Sequence, residues 1–305
     1  FQAGRLKPSC QRKAWDVGGK RIWHINQQKF MGLFDKLFGK KEEEIQKNKQ
    51  IDNSIHEEEW DFYFSNVDDV IGSFYVDLGL IKIAPINDKP NLVWVSLKMN
   101  NPREDGLSSN DEFDKLREIE DRLNEFISSK HNSIYAGRLT SNNHRDFYFY
   151  FGDTTLYDNT ISEAMVAFPS YSYEFGIKED KEWELYLEFI YPNPRQYQSI
   201  QNRRVVENLE SNGDTLTKRR QVDHWIYFKT QDDRQNFLTK IKDEGFQIIN
   251  QATIKESTDF PYTLQIARVD NVDLDSVNAY TLSLWELAGE YNGDYDGWET
   301  SIEKD

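Results

Sequence analysis

Between Gln221 and Thr300 the hydrophobic pattern alternates between a period of two and a period of three to four, and few folds accept the resulting order. The spacing predicts a strand over 221–229, a helix over 231–243, strands over 246–254 and 262–268, a helix over 274–288 and a strand over 294–300. Local signals agree with these limits. Thr230 with Asp233 forms a capping-box-like start, Gly245 stops the first helix, and Asp273 and Gly289 bracket the second. A β-α-β-β-α-β order of this kind is the ferredoxin-like arrangement, a sheet with helices on one face.

A second region has the same texture. WDFYF (60–64), SFYVDLGL (73–80) and NLVWVSLKM (91–99) are rich in aromatic and β-branched residues and read as strands. Asn110 to Lys130 reads as a helix buried along Phe113, Leu116, Ile119, Leu123, Phe126 and Ile127. SIYAGRLT (133–140) and RDFYFYFG (145–152) then form a hairpin, a short helix is expected near 160–168, and EWELYLEFIY (182–191) is expected as the closing strand. The fold class expected is α+β, with two ferredoxin-like sandwich domains in tandem, over 60–192 and 215–305. Residues 193–214 are expected to connect them, helical in part through Tyr197, Ile200, Val205 and Leu209.

The first fifty-nine residues differ from this body. Residues 1–30 show neither periodicity and are expected to be upstream, non-native sequence before a natural start at Met31. In 31–59, Leu33, Phe34, Leu37 and Phe38 make a short amphipathic start, followed by a charged linker. Two such turns bury too little apolar area for stable membrane anchoring. No run of the sequence approaches the ~18 apolar residues of a membrane span, and mean hydropathy is −0.78.

Charge narrows the partners. The chain carries 37 Lys and Arg against 53 Asp and Glu, a formal net charge of −16. Residues 1–30 hold seven of the basic groups and only Asp16, so from Met31 onward 30 basic face 52 acidic residues, or −22. Such a surface repels phosphate backbones, which disfavours direct nucleic-acid binding and favours basic protein partners. Cys10 is the sole cysteine, which excludes an internal disulfide and a cysteine zinc site and makes the cytoplasm the natural compartment.

The stretch LSLWELAGEYNGDYDGWET (282–300) ends the second unit, and Leu284, Leu287, Ala288, Gly293, Tyr295, Asp296, Gly297 and Trp298 in it resemble the C-terminal signature of the regulator of ribonuclease E activity B family. LTKRRQVDHWIYF (216–228) resembles the start of the same domain. The first unit, through VDD, the segment S-x-x-VDLGL, NPREDGL and GRLT followed by RDFYFYF, resembles domain of unknown function 695. The second resemblance supplies no chemistry. The first implies a non-catalytic regulator that inhibits ribonuclease E by protein contact, through the basic, extended part of that nuclease.

The residues suggest where such contact would occur. On the strand 222–228, Val222, His224, Ile226 and Phe228 share one side and Asp223, Trp225 and Tyr227 the other. The more apolar set is assigned to the core, which leaves Trp225 and Tyr227 on the open face. The last strand lies beside the first in this topology, so Tyr295 or Trp298 is expected to extend the aromatic surface while Asp294, Asp296 and Glu299 rim it. Aromatic rings with an acidic border suit a basic protein segment. RNA-binding sheets also stack aromatics, but surround them with Lys and Arg.

Two other classes remain open. Asn292, Asp294, Asp296, Gly297 and Glu303 fall at positions 1, 3, 5, 6 and 12 of a calcium-loop pattern, without an exiting helix. A metal- or small-molecule-binding accessory protein is therefore the alternative reading. No enzyme is expected, and no cofactor: there is no G-x-S-x-G elbow, P-loop, H-E-x-x-H or G-x-G-x-x-G. His224 beside Asp223 is the one tempting acid-base pair, yet strand neighbours point to opposite faces. Arg117, Arg138 and Arg145 are candidates to bind an anion, or equally to pair with carboxylates.

Overall fold

The computed structural model describes residues 12–17, 20–25, 56–254 and 259–304, in two compact units, Phe1–Pro192 and Asn193–Asp305. The expectations for a short amphipathic start, for most of the charged linker and for Cys10 fall outside the described residues. Within 1–30, Arg12–Val17 (β1) and Lys20–Ile25 (β2) pair antiparallel, where the sequence shows no extended alternation.

The first unit holds a six-stranded antiparallel sheet: Trp60–Val67 (β3), Val70–Asp77 (β4), Asn91–Lys98 (β5), Ser133–Ser141 (β6), His144–Phe151 (β7) and Tyr173–Glu179 (β8), in the order β3-β4-β6-β7-β5-β8. The helices are Asn110–Lys130 (α1) and Tyr157–Met165 (α2). Alternation explains the core. Val93, Val95 and Leu97 of β5 and Phe147, Phe149 and Phe151 of β7 turn toward Leu116, Ile119, Leu123 and Ile127 of α1 and Ile161 and Ala164 of α2. A ferredoxin-like order accounts for four of these strands, β5 to β8. The hairpin β3–β4 adds two strands beyond β6.

Two sequence expectations fail for identifiable reasons. Phe113 is 44% exposed, because its neighbour Glu112 takes the buried position and accepts the backbone N–H groups of Asn100 and Asn101 at 2.7 and 2.8 Å. The closing strand is 173–179 rather than 182–191. Leu185–Ile190 is a π-helical turn whose flanking and internal residues Trp183, Tyr186 and Ile190 are buried at helical spacing. Asp180 fixes its start by accepting from Glu184 N, Leu185 N and the Tyr150 hydroxyl. Gly176 keeps β8 close, since a Cβ there would meet the Trp94 ring at 2.6 Å.

In the second unit, Pro194–Ser211 (α3), Arg220–Phe228 (β9), Gln231–Ile241 (α4), Gln247–Thr253 (β10), Tyr262–Asp270 (β11), Leu274–Glu290 (α5) and Gly293–Thr300 (β12) follow in sequence. The four strands are antiparallel in the order β10-β11-β9-β12. Helix α3 occupies the stretch expected as a connector. Asn193 and Gln196 close a full capping box at its start, and its Val206 and Leu209 pack with Val222, Val277 and Trp298. A second cluster joins Ile226, Phe228, Leu264 and Ile266 to Phe237 and Ile241 of α4 and Leu284 and Ala288 of α5. All these helix contacts use one face of the sheet.

Candidate protein-interaction site

The opposite face of that sheet is the candidate site, and strand register decides what it displays. On β9, Val222, His224, Ile226 and Phe228 are fully buried on the helix side. Asp223, Trp225 and Tyr227 alternate with them and are half-buried. Across β11 the partners of Asp223, Trp225 and Tyr227 are Ala267, Gln265 and Thr263, all uncharged. Across β12 their partners are Glu299, Gly297 and Asp294.

The β12 side contains an irregularity that the sequence hides. Tyr295 pairs with Ile226 and Gly297 with Trp225, so Asp296 is an extra residue in a β-bulge. Gly297 has φ of +151°, a region that favours glycine. One extra residue swaps the faces downstream of it. Tyr295 and Trp298 therefore both point into the core, 5% and 8% exposed, and neither extends the aromatic surface. Asp296 and Glu299 are exposed, and Asp294 is half-buried beside Tyr227.

The face thus sets two aromatic rings against four carboxylates, Asp223, Asp294, Asp296 and Glu299. Asp223 is held by the side chains of Gln221 and Gln265 at 2.8 and 3.2 Å. Burial, then the charge of Asp296, raises the pKa of Asp294. Burial, then Asp296 and Asp294, raises that of Tyr227. Asp296 is therefore close enough to disfavour the charged form of Asp294, a condition that an approaching cation relieves.

Residues 58–191 match the model of a family of unknown function, DUF695, and residues 199–300 that of the regulator of ribonuclease activity B, RraB. The chain carries a DUF695 domain over 58–191 followed by an RraB domain over 199–300. No curated protein matches. A solved structure that is similar, titled as an unknown protein from Galdieria sulphuraria, is 9% identical, covers 70% of this chain and 99% of its own, and has a TM-score of 0.19.

Beneath the open face, the RraB domain keeps its remaining sequence candidates for structure. Trp298 donates through Nε1 to Asn202 Oδ1 at 3.0 Å. Asn202, itself fully buried, donates to Asn278 Oδ1 and Thr281 Oγ1 at 2.9 and 2.7 Å, locking α3 to α5. His224 lies on the helix side, away from Asp223, with Nδ1 2.8 Å from the Tyr295 hydroxyl. Its Nε2 has no hydrogen-bond partner among the described residues. Burial and the nearby Arg268 lower its pKa to about 3, so it is neutral at physiological pH.

The calcium-loop pattern does not survive folding. Residues Gly293–Thr300 form a strand paired along β9 and do not wrap around a centre. Asn292 donates to Asp233 Oδ1, while the backbone N–H of Glu303 donates to Asp214 Oδ2. No group of three His, Cys, Asp or Glu among the described residues is placed to hold a metal ion.

Two of the three candidate arginines of the DUF695 domain, Arg138 and Arg145, are engaged internally. Glu120 receives Arg138 Nη1 and the Tyr135 hydroxyl at 2.9 Å each, with Arg145 Nη1 at 3.7 Å. Burial, then the like charge of Arg138, lowers the pKa of Arg145 to about 10. Arg117 is exposed on α1. On the helix side of the RraB domain a cavity of about 390 Å³ is lined by Arg219, Arg268, Asp270, Phe246, Ser276 and Tyr280. The sequence gives no sign of it, because its lining combines β11, α5 and the loop residues Arg219 and Phe246, far apart in the chain. No helix among the described residues is long and apolar enough to cross a membrane.

Proposed function

We propose that the RraB domain is a non-catalytic binding module whose open sheet face receives a basic, extended segment of a ribonuclease E-type nuclease. The observation that carries this is the pairing of Trp225 and Tyr227 with Asp223, Asp294, Asp296 and Glu299 on one face. Rigid aromatics supply area at low entropic cost, and the carboxylates supply long-range attraction and orientation. The family match to a regulator of ribonuclease activity supports the class of partner. The connectivity β9-α4-β10-β11-α5-β12, with β9 central beside β12, supports the ferredoxin-like reading of this unit, and β5-α1-β6-β7-α2-β8 supports it for the first. The absence of cysteine pairs supports a cytoplasmic setting for the regulator.

Calorimetric titration of the full chain with basic segments of such a nuclease tests the proposal. Trp225→Ala is expected to weaken binding by about thirtyfold, the effect of a central aromatic anchor. Asp294→Asn with Asp296→Asn is expected to slow association chiefly. Equal affinity of Trp225→Ala and the parent chain would remove the open face from the reading. The cavity lined by Arg219 and Arg268 supports a second reading, a small-molecule-binding accessory protein. A thermal shift on adding metabolites that is lost in Arg268→Ala would favour that alternative.

A further inference from the structure

We propose that two copies of this chain associate through β10, pairing edge to edge so that their four-stranded sheets join. A free sheet edge presents unpaired N–H and C=O groups, and proteins guard it with charge, proline or distortion. The other edges of the two large sheets follow that rule. Strand β3 carries Asp61, β8 carries Glu174, Lys178 and Glu179, and β12 carries Asp294, Asp296 and Glu299. Strand β10, QIINQAT, carries no charge and no proline, in a chain whose residues are 30% charged. All seven of its residues are exposed, with Ile248 at 52% and Ile249 at 46%. Its irregularity falls between Ile248 and Asn250, leaving Asn250–Thr253 a regular run.

The lack of charge also selects the partner. A second copy bears the same net charge of −16 and is repelled over most of the surface. An uncharged strand is where two such copies meet without opposing carboxylates. A basic polypeptide gains no electrostatic attraction there and is better served by β9 and β12. Pairing a strand with its own copy is antiparallel and isologous, about an axis normal to the sheet. Both open faces then lie on the same side. The association stands without the proposed function; if both hold, an extended basic partner meets two aromatic faces and gains avidity.

Sedimentation equilibrium of the full chain tests the inference. The expected result is a mass that rises with concentration toward twice 36.1 kDa. Ile249→Lys and Gln251→Lys are each expected to weaken association by about tenfold or more, with unchanged circular-dichroism melts, because edge charges oppose strand pairing. Hydrogen exchange at 247–253 in the parent chain is expected to slow as concentration rises; this decides the matter should a variant melt early. A single-chain mass at the highest soluble concentration, or association undiminished in both variants, would overturn it. Nuclease binding that fails while this association persists counts against the open face alone.

Discussion

At the scale of single residues, buried polar side chains carry more of the specificity than the hydrophobic pattern suggests. His224 has an ordinary pKa near 6.5 when unfolded and about 3 when folded. Between those values the unfolded chain binds the extra proton, so its stabilisation is complete above pH 6.5 and is lost as pH falls toward 3. Urea titrations between pH 7 and 4 are expected to show stability falling by up to about 1.4 kcal/mol per pH unit from this residue. Asp294, whose pKa is raised by burial and then by the charge of Asp296, acts in the opposite sense above the ordinary carboxylate value. His224→Gln should therefore flatten the slope just below pH 6.5, the end of the window farthest from the ordinary carboxylate range. Asn202→Ala leaves the Trp298 N–H unpaired in the core and is expected to cost about 1–3 kcal/mol, read from the urea midpoint. The alternation on β9 exposed His224 and Trp225 to correct assignment from sequence. Asn202 gave no signal, because Asn278, Thr281 and Trp298, the partners that tie α3 to α5 and β12, lie 76 to 96 positions away.

At the scale of elements, the strands and helices of the RraB domain were legible to within two residues, since caps, glycine stops and periodicity coincide there. The exceptions share one cause: tertiary contacts overrode local preference. The segment 185–190 has strand-like composition, yet the carboxylate of Asp180, held by the Tyr150 hydroxyl of β7, captures two N–H groups and starts a helical turn. On β12 the bulge at Asp296 depends on register against β9, which composition does not encode. Gly297→Ala forces an L side chain to φ of +151° and is expected to destabilise the domain by about 1–3 kcal/mol. Helix α3 offers a sharper test. A fragment beginning at Asn193 is expected to fold cooperatively, whereas one beginning at Gly213 exposes Trp298 and should show red-shifted tryptophan emission and an early melt.

At the scale of the whole molecule, charge sets the terms of association. Partner binding to the acidic open face is expected to weaken steadily with ionic strength, mostly through the association rate. Self-association through uncharged β10 is expected to hold or strengthen over the same range, because salt screens the repulsion between two acidic copies. Measuring both in one salt series separates the two surfaces.

The sequence by itself determined an α+β chain in two units, an acidic surface and the inward-outward alternation of β9, because these follow from composition and short-range periodicity. Only the tertiary structure decided that Tyr295 and Trp298 belong to the core, that 193–214 contributes a packed helix and that β10 is an edge strand exposed among the described residues. Each of those depends on which strand or helix lies alongside, and a pairing partner is fixed by the energy of the assembled sheet rather than by neighbours in the chain.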